Sequence, residues 1–182
     1  MLKSQNAEIR TQTLHFLFRA NLICMNPYAS HLGNQDPMRV LSETSGRLQQ
    51  IASALGEKLN RPYAPGKWSL HQIIVHLADC ELTFAFRYRQ ALAEDNHVIQ
   101  PFDQDKWAKS SAAYGTEQAL STFAALRQWN LALLRSLTPE QLARPLSHPE
   151  RGSMILKTII ETSAGHDINH LRQLDAAKQA AA

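Results

Sequence analysis

The sequence predicts an all-α domain, a four-helix bundle in which long crossover connections join the helices. Three observations support this prediction. Long segments place apolar residues at three- and four-residue steps, which is the period of an amphipathic helix. Glycine is scarce, with seven in 182 residues, and helix-capping residues and prolines separate the periodic segments. A hydrophobic fraction of 44% is enough for a single core in a chain of this length.

The first two long helices have clear start signals. Asp36 is followed by Pro37, which suits an N-cap and a first helical residue whose missing N–H costs nothing. Residues 60–67 contain two prolines and a glycine and are expected to form a loop. After that loop, Ser69 and Gln72 have the spacing of a capping box. We therefore expect helices over about 37–59 and 69–94.

Two further long helices complete the predicted bundle. Thr116 starts the third helix, and Ser153 is expected to cap a last helix that extends to about residue 178. The connections contain shorter capping signals, at Asp103 and at Thr138-Pro139-Glu140-Gln141. Residues 142–152, which contain prolines, are expected to be a loop. The domain is thus predicted over residues 36–180.

Residues 1–35 form an N-terminal extension to which the sequence assigns no structure. Its apolar stretch from Leu14 to Met25 is interrupted by Arg19 and is too short to span a bilayer. No cleavage site of the A-x-A kind follows it, so we do not expect a signal peptide. The two cysteines, Cys24 and Cys80, form no CxxC pair, which fits a reducing compartment. We expect a soluble, cytoplasmic protein.

The charge pattern argues against a polyanionic partner. The formal net charge is only +3, and the lysines and arginines are scattered along the chain without a basic run. Proteins that bind nucleic acids or membrane surfaces usually concentrate such residues on one face. We therefore expect neither a nucleic-acid partner nor a membrane partner, and we expect a small-molecule substrate instead.

The last predicted helix carries the residues that best indicate chemistry. His166 and His170 are four residues apart, so their imidazoles lie one above the other on the same helical face. Stepping back from His166 by four, three and four residues reaches Thr162, Ile159 and Ile155, so this face points towards the core. Buried neutral imidazoles need partners, and a metal ion would supply one to each.

Spacing alone does not establish a metal site, because a surface pair or two hydrogen-bonded core histidines would show the same pattern. His76 strengthens the metal interpretation, since it shares an inward stripe with Ile73 and Cys80 on the second helix. Three protein ligands with one open position are typical of catalytic metal sites. We therefore predict that His76, His166 and His170 bind one divalent metal ion.

Other polar residues near this site receive weaker predictions. Gln173, three residues after His170, is placed to contact a bound cofactor, water or substrate, although it could equally be a plain surface residue. Asp167 points about 100° away from His166 on an ideal helix and is interpreted as part of a solvated helix surface. Cys80 is one turn from His76 and could face the site, but it is interpreted as a buried structural thiol. The other five histidines are assigned to surface or local hydrogen-bonding roles: His15, His31, His71, His97 and His148.

Three sequence features resemble the DinB-like superfamily, in the branch of the YfiT-type bacillithiol S-transferases. The first is Trp68-Ser69 with His76 seven residues after the serine, and the second is the stretch FDQDKWA over residues 102–108. The third is the closing pattern HDINHLRQL over residues 166–174. The resemblance covers about residues 36–178. The residues before Asp36 depart from the family pattern.

The resemblance implies a four-helix bundle, frequently a homodimer, with a divalent ion, commonly nickel or zinc, on the three histidines named above. It also implies a low-molecular-weight thiol as a co-substrate in some members. The leading hypothesis is a metal-dependent transferase of the thiol S-transferase type, or a hydrolase, acting on a small molecule. The alternative is a non-catalytic metal- or ligand-binding bundle involved in stress response, which a fourth protein ligand would favour.

Overall fold

The structure, a computed structural model, describes residues 26–179 and confirms the predicted all-α four-helix bundle. Two 3₁₀ segments, Gly56–Asn60 and Ser111–Ala113, continue or connect helices. The helices are α1 (Ala29–Leu32), α2 (Pro37–Leu55), α3 (Leu70–Ala93), α4 (Gln104–Ala108), α5 (Thr116–Arg135), α6 (Pro139–Leu142) and α7 (Leu156–Gln179).

Most of the predicted helix starts are confirmed by their hydrogen bonds. The Asp36 side chain accepts a hydrogen bond from the backbone N–H of Met38. Ser69 accepts one from the backbone of Gln72, whose side chain accepts one in return. Each cap satisfies backbone donors that have no partner inside the helix. The capping box at Thr138 is also formed, and the Asp103 side chain caps α4.

The four long helices α2, α3, α5 and α7 enclose the core. Helix α3 packs against α5, α2 packs against α7, and α2 and α7 also contact α5 and α3 respectively. One group of buried apolar side chains surrounds Tyr88 and Leu156, and another surrounds Phe123 and Ile73. The core therefore has two parts, and both α3 and α7 contribute to each part.

A small three-stranded sheet replaces the loop predicted over residues 142–152. Its strands are β1 (His97–Val98), β2 (Pro145–His148) and β3 (Gly152–Ile155), in the order β1-β2-β3. Strand β2 is parallel to β1 and antiparallel to β3, with Leu146 opposite Met154. Both of these side chains are buried, so long-range packing rather than local pattern stabilises the strands.

The sheet corrects the predicted start of the last helix. Ser153 does not cap that helix, because it lies in β3 opposite Ser147, and α7 begins at Leu156. Gly152 adopts a positive φ of 77° at the start of β3, a conformation that glycine tolerates without strain. The backbone N–H of Leu156 donates to the carbonyl of Arg144, which fixes the helix start against the sheet.

Residues 26–35 pack on the bundle. Helix α1 contacts α7, and Leu32 is buried. The apolar stretch from residue 14 to 25 lies outside the described residues. In the part of the chain that the structure describes, no helix has both the length and the apolar character needed to cross a membrane.

Candidate metal centre

Helices α3 and α7 bring four ligand-type side chains together in the bundle interior. His76 and Cys80 are one turn apart on α3, and His166 and His170 are one turn apart on α7. All four side chains are buried. The i, i+4 spacing places each pair on one helical face, and the contact between α3 and α7 places the two faces opposite each other.

Three of the four side chains converge closely. The Nε2 atoms of His76 and His166 are 3.1 Å apart, and the Sγ atom of Cys80 lies 3.4 Å from the first and 3.8 Å from the second. One potential ligand atom from each residue lies within 4.8 Å of the others. Sequence reasoning had interpreted Cys80 as a structural thiol, but the structure places its sulfur against both imidazoles.

His170 lies beside this group without belonging to it. Its ring centroid is 4.9 Å from that of His76 and 4.5 Å from that of His166. The Nδ1 atom of His170 and the Oε1 atom of Gln173 are 2.8 Å apart, so the N–H donates to the amide oxygen and Nε2 keeps its lone pair. Gln173 therefore contacts the site by orienting His170, and the ligand role of His170 stays a prediction.

Burial keeps the imidazoles neutral. It lowers the pKa of His76 to about 3, with a smaller contribution from His170. It lowers the pKa of His170 to about 4, although the hydrogen bond to Gln173 opposes the change. The pKa of His166 also lies well below its usual value, because the ring is buried beside the other two. Burial raises the pKa of the Cys80 thiol. At neutral pH the rings thus offer lone pairs rather than charges.

These residues fit a divalent metal ion. Neutral imidazoles and a thiol are ligands that zinc, nickel and copper accept. The Nε2 atoms of His76 and His166 converge as the ligands of one ion would, and the Nδ1 atom of His166, on the other side of the ring, is buried without a hydrogen-bond partner among residues 26–179. The hydrogen bond from His170 to Gln173 is the kind of contact that orients metal-binding histidines.

Two cavities flank the four side chains. The first cavity has a volume of about 360 Å³ and is lined by residues that include His170, Gln173 and Trp68. The second cavity has a volume of about 340 Å³ and reaches Cys80 and His166. Both volumes lie near the lower end of the range for small-molecule sites. The imidazole rings therefore lie between two cavities, with His170 in the wall of the first and His166 in the wall of the second.

Tyr28 stands between the two cavities and lines both of them. Its ring meets the ring of His166 edge-on, with centroids 5.2 Å apart, and burial raises the pKa of its phenol. Gly165 allows this approach, because a Cβ atom there would lie 2.5 Å from the Tyr28 carbonyl oxygen. Sequence reasoning missed Tyr28, since it lies in the segment assigned to the extension.

A second buried polar cluster lies beside the metal centre, and its members come from α3, α5 and α7. Arg127 donates to Glu81 and to Asp167, each over 2.7 Å. Asn130 donates to the other Glu81 oxygen over 2.8 Å. The prediction that Asp167 belongs to a solvated surface is therefore wrong, because its carboxylate is buried against a cation. Arg127 could have been found as a charged residue within the apolar stripe of α5.

Similarity to known proteins agrees with this architecture. The family model described as "DinB superfamily" matches residues 41–174. "Putative metal-dependent hydrolase OB0782" from Oceanobacillus iheyensis is 35% identical over 119 residues, which are 65% of this chain and 69% of that protein. "Putative metal-dependent hydrolase YfiT" from Bacillus subtilis is 28% identical over 141 residues, covering 75% of this chain and 79% of its own.

The solved structure of Bacillus subtilis YfiT has the same fold. It superposes with a TM-score of 0.75 at 26% sequence identity, over 80% of this chain and 85% of that one. It is described as "a probable metal-dependent hydrolase with an unusual four-helix bundle topology". The resemblance inferred from the sequence is confirmed, and the chain belongs to the DinB superfamily.

Proposed function

We propose that this protein is a metal-dependent enzyme that acts on a small molecule, with hydrolysis as the leading reaction. His76, His166 and His170 would hold one divalent ion, nickel or zinc. The observation that carries the proposal is the meeting of three buried, neutral imidazoles between two cavities. The names of the relatives, which describe metal-dependent hydrolases, support the same reaction class.

The chain's own residues would position and polarise the substrate. When bound, the ion would supply Lewis-acid chemistry and lower the pKa of a water or a thiol. Gln173 holds the His170 ring by its hydrogen bond. Tyr28 is protonated at neutral pH, as tyrosines ordinarily are, and burial raises its pKa further, so its O–H can donate a hydrogen bond to a substrate.

Thiol S-transfer is the second candidate reaction, and the pair of cavities favours it. A transferase has to hold two reactants at once, whereas a hydrolase holds one reactant and a water molecule. Both cavities border the imidazoles, and each has the volume of a small ligand site. A low-molecular-weight thiol in one cavity and an electrophile in the other would satisfy this requirement.

The homodimer implied by the family resemblance stays a prediction.

The position of Cys80 favours a different alternative, a non-catalytic bundle that holds its metal in a closed site. Its sulfur lies 3.4 Å from the Nε2 atom of His76. Three histidines and one thiolate would complete a tetrahedral set and leave no position for substrate. Burial raises the pKa of Cys80, so the thiol ligates only if the ion displaces its proton.

Elemental analysis of untagged protein tests the metal site. We expect about one metal equivalent in the wild type and almost none in His166→Ala and His170→Ala. His97→Ala is the matched control, because His97 lies on the small sheet and lines neither cavity. An equal, near-zero metal content in all four proteins would contradict the proposal.

Cobalt substitution separates the open site from the closed one. An open site should show no thiolate-to-cobalt charge-transfer absorption, and Cys80→Ala should retain the ion. A charge-transfer band that disappears in Cys80→Ala would instead identify a fourth protein ligand and favour the non-catalytic alternative. A screen of the metal-loaded protein with and without low-molecular-weight thiols then distinguishes transfer from hydrolysis.

A further inference from the structure

The second cavity contains two arginine side chains that form no salt bridge within the described part of the chain. Arg87 and Arg151 both line it, next to Cys80 and His166. Over residues 26–179, neither guanidinium lies within 4.0 Å of an aspartate or glutamate oxygen. Arg87 is half-buried, and partly buried charges in proteins are usually paired. The side of the cavity formed by these two arginines is therefore positive, and it lies directly beside the candidate metal centre.

The environment of Arg87 fixes its position without satisfying its donors. Its guanidinium carbon lies 5.8 Å from the ring centroids of both Phe84 and Phe102. One terminal nitrogen donates weakly to the Gln100 carbonyl over 3.4 Å, and the buried Nε atom has no partner among the described residues. A guanidinium offers five N–H donors in a planar fork, so most of its capacity is open to a ligand.

Charged residues of both signs line this cavity, and they differ in their partners and exposure. Burial and the nearby Arg151 both lower the pKa of Arg87. The pKa of His148, a third residue of the wall, is lowered by burial and by the two arginines. Of the two acidic residues at the cavity, Asp103 is already engaged with the backbone and side chain of Lys106, and Glu150 is exposed to solvent.

We propose that the second cavity binds the carboxylate of a small organic acid, with Arg87 and Arg151 as its recognition residues. Arginine and carboxylate match in geometry and form paired, charge-assisted hydrogen bonds. The apolar part of the acid would contact Phe84 and Phe102, which line the same cavity. This inference rests on the proposed function, because it names the substrate class of that same site: the acid's reactive end would lie next to His166 and Cys80.

Benzoate and benzamide provide a matched pair of probes, because they have the same shape and differ in charge. Isothermal titration calorimetry of the full-length protein at low ionic strength should detect benzoate binding and no benzamide binding. Arg87→Met, which keeps the apolar stem, should weaken benzoate binding by about tenfold or more. Arg151→Met should weaken it by a smaller factor, about threefold, because this side chain is exposed. Arg39→Met is the control, because it removes the same single charge from the exposed surface of α2. It should leave the affinity for benzoate unchanged.

The titrations should be repeated after chelation, since a carboxylate can also bind a metal ion directly. Benzoate binding that survives chelation and still depends on Arg87 supports the anion site, even if elemental analysis finds no metal and the proposed function fails. Three results would overturn the inference: benzoate that does not bind, benzamide that binds equally well, or affinity unchanged in both Arg87→Met and Arg151→Met. Because Arg151 lies on an exposed turn, its variant keeps the test decisive if Arg87→Met does not fold.

Discussion

Two buried polar clusters lie side by side in this bundle and differ in their chemistry, since one consists of paired charges and the other of converging neutral imidazoles. The imidazole cluster consists of His76, Cys80, His166 and His170, and the ion network consists of Glu81, Arg127, Asn130 and Asp167. Helices α3 and α7 contribute to both, and two pairs of members are sequence neighbours. Their different environments therefore come from which side of each helix a residue occupies.

The protein itself pairs the charges of the ion network, and the Nε atom of Arg127 is its one buried side-chain atom without a hydrogen-bond partner among residues 26–179. Arg127 contacts two carboxylates and the Leu41 carbonyl, and Asn130 occupies the remaining Glu81 oxygen. The imidazole cluster, by contrast, has converging neutral nitrogens and a buried Nδ1 atom without a partner in the described chain, and it borders two cavities. A polar cluster whose charges are paired by the protein stabilises a fold, whereas converging neutral lone pairs beside a cavity are suited to binding a ligand.

The largest expected effect tests the structural role of the ion network. Arg127→Met should lower the free energy of unfolding by about 3–5 kcal/mol, because it leaves two buried carboxylates without their cation. Urea denaturation measures this loss. Arg135→Met on the same helix is the control, since Arg135 is exposed and reaches only the Ser42 hydroxyl. If the free energy of unfolding fell by the same small amount in both variants, the ion network would not have the stabilising role that distinguishes it from the imidazole cluster.

The imidazole cluster should make the metal-free protein sensitive to mild acid. The pKa values of His76 and His170 in the folded protein, about 3 and about 4, lie below the unfolded value of about 6.5. The unfolded state therefore binds more protons below pH 6.5, so stability is complete above that pH and is lost towards pH 3–4. For each of these two imidazoles, the free energy of unfolding should fall by about 2 kcal/mol between pH 6.5 and pH 5, at about 1.4 kcal/mol per pH unit.

Urea denaturation at several pH values after chelation measures this dependence. His170→Asn removes one neutral imidazole. The free energy of unfolding of this variant should therefore depend less steeply on pH, by the equivalent of about one proton taken up on unfolding. Identical slopes for the wild type and this variant would show that His170 titrates normally in the folded protein.

The sequence predicted the parts of the molecule that depend on local pattern. The caps at Asp36, Ser69 and Thr138 form because their hydrogen bonds involve residues at most three positions apart. The close approach of His76 and His166 was also anticipated, because both lie on inward apolar stripes. Their role as metal ligands stays a prediction.

The features that the sequence did not predict depend on contacts between distant segments. The small sheet pairs residues 97–98 with 146–147, and neither segment has a strong strand pattern of its own. Asp167 is buried because Arg127, 40 residues away, reaches it from α5. Tyr28 meets His166 because Gly165 lacks a side chain at that contact. In each case a residue outside the local window determines the environment.

Gly165 provides a smaller test, directed at the wall of the imidazole cluster. Gly165→Ala should cost about 1–3 kcal/mol, because the new Cβ would overlap the Tyr28 carbonyl and displace the segment that covers His166. Gly46→Ala is the matched control in the middle of α2, where a Cβ meets nothing within 4 Å, and should stabilise the protein by about 0.5–1 kcal/mol. Urea denaturation of both variants measures the direction in which each substitution changes the free energy of unfolding. Stabilisation by Gly165→Ala would mean that residues 26–35 are not held against the site.

The smallest expected effect concerns the one side-chain hydrogen bond that, among residues 26–179, the imidazole cluster makes to a residue outside itself. Gln173 accepts the hydrogen bond from Nδ1 of His170, and such contacts set the orientation and basicity of metal-binding histidines. Gln173→Leu should therefore weaken metal binding about tenfold, measured by competition with a chelating dye, whereas Gln173→Glu retains an acceptor oxygen and should stay close to the wild type. A dissociation constant for the metal that is unchanged in Gln173→Leu would mean that His170 does not depend on this hydrogen bond. The imidazole cluster, unlike the ion network, would then bind its ligand without a hydrogen bond from a neighbouring side chain.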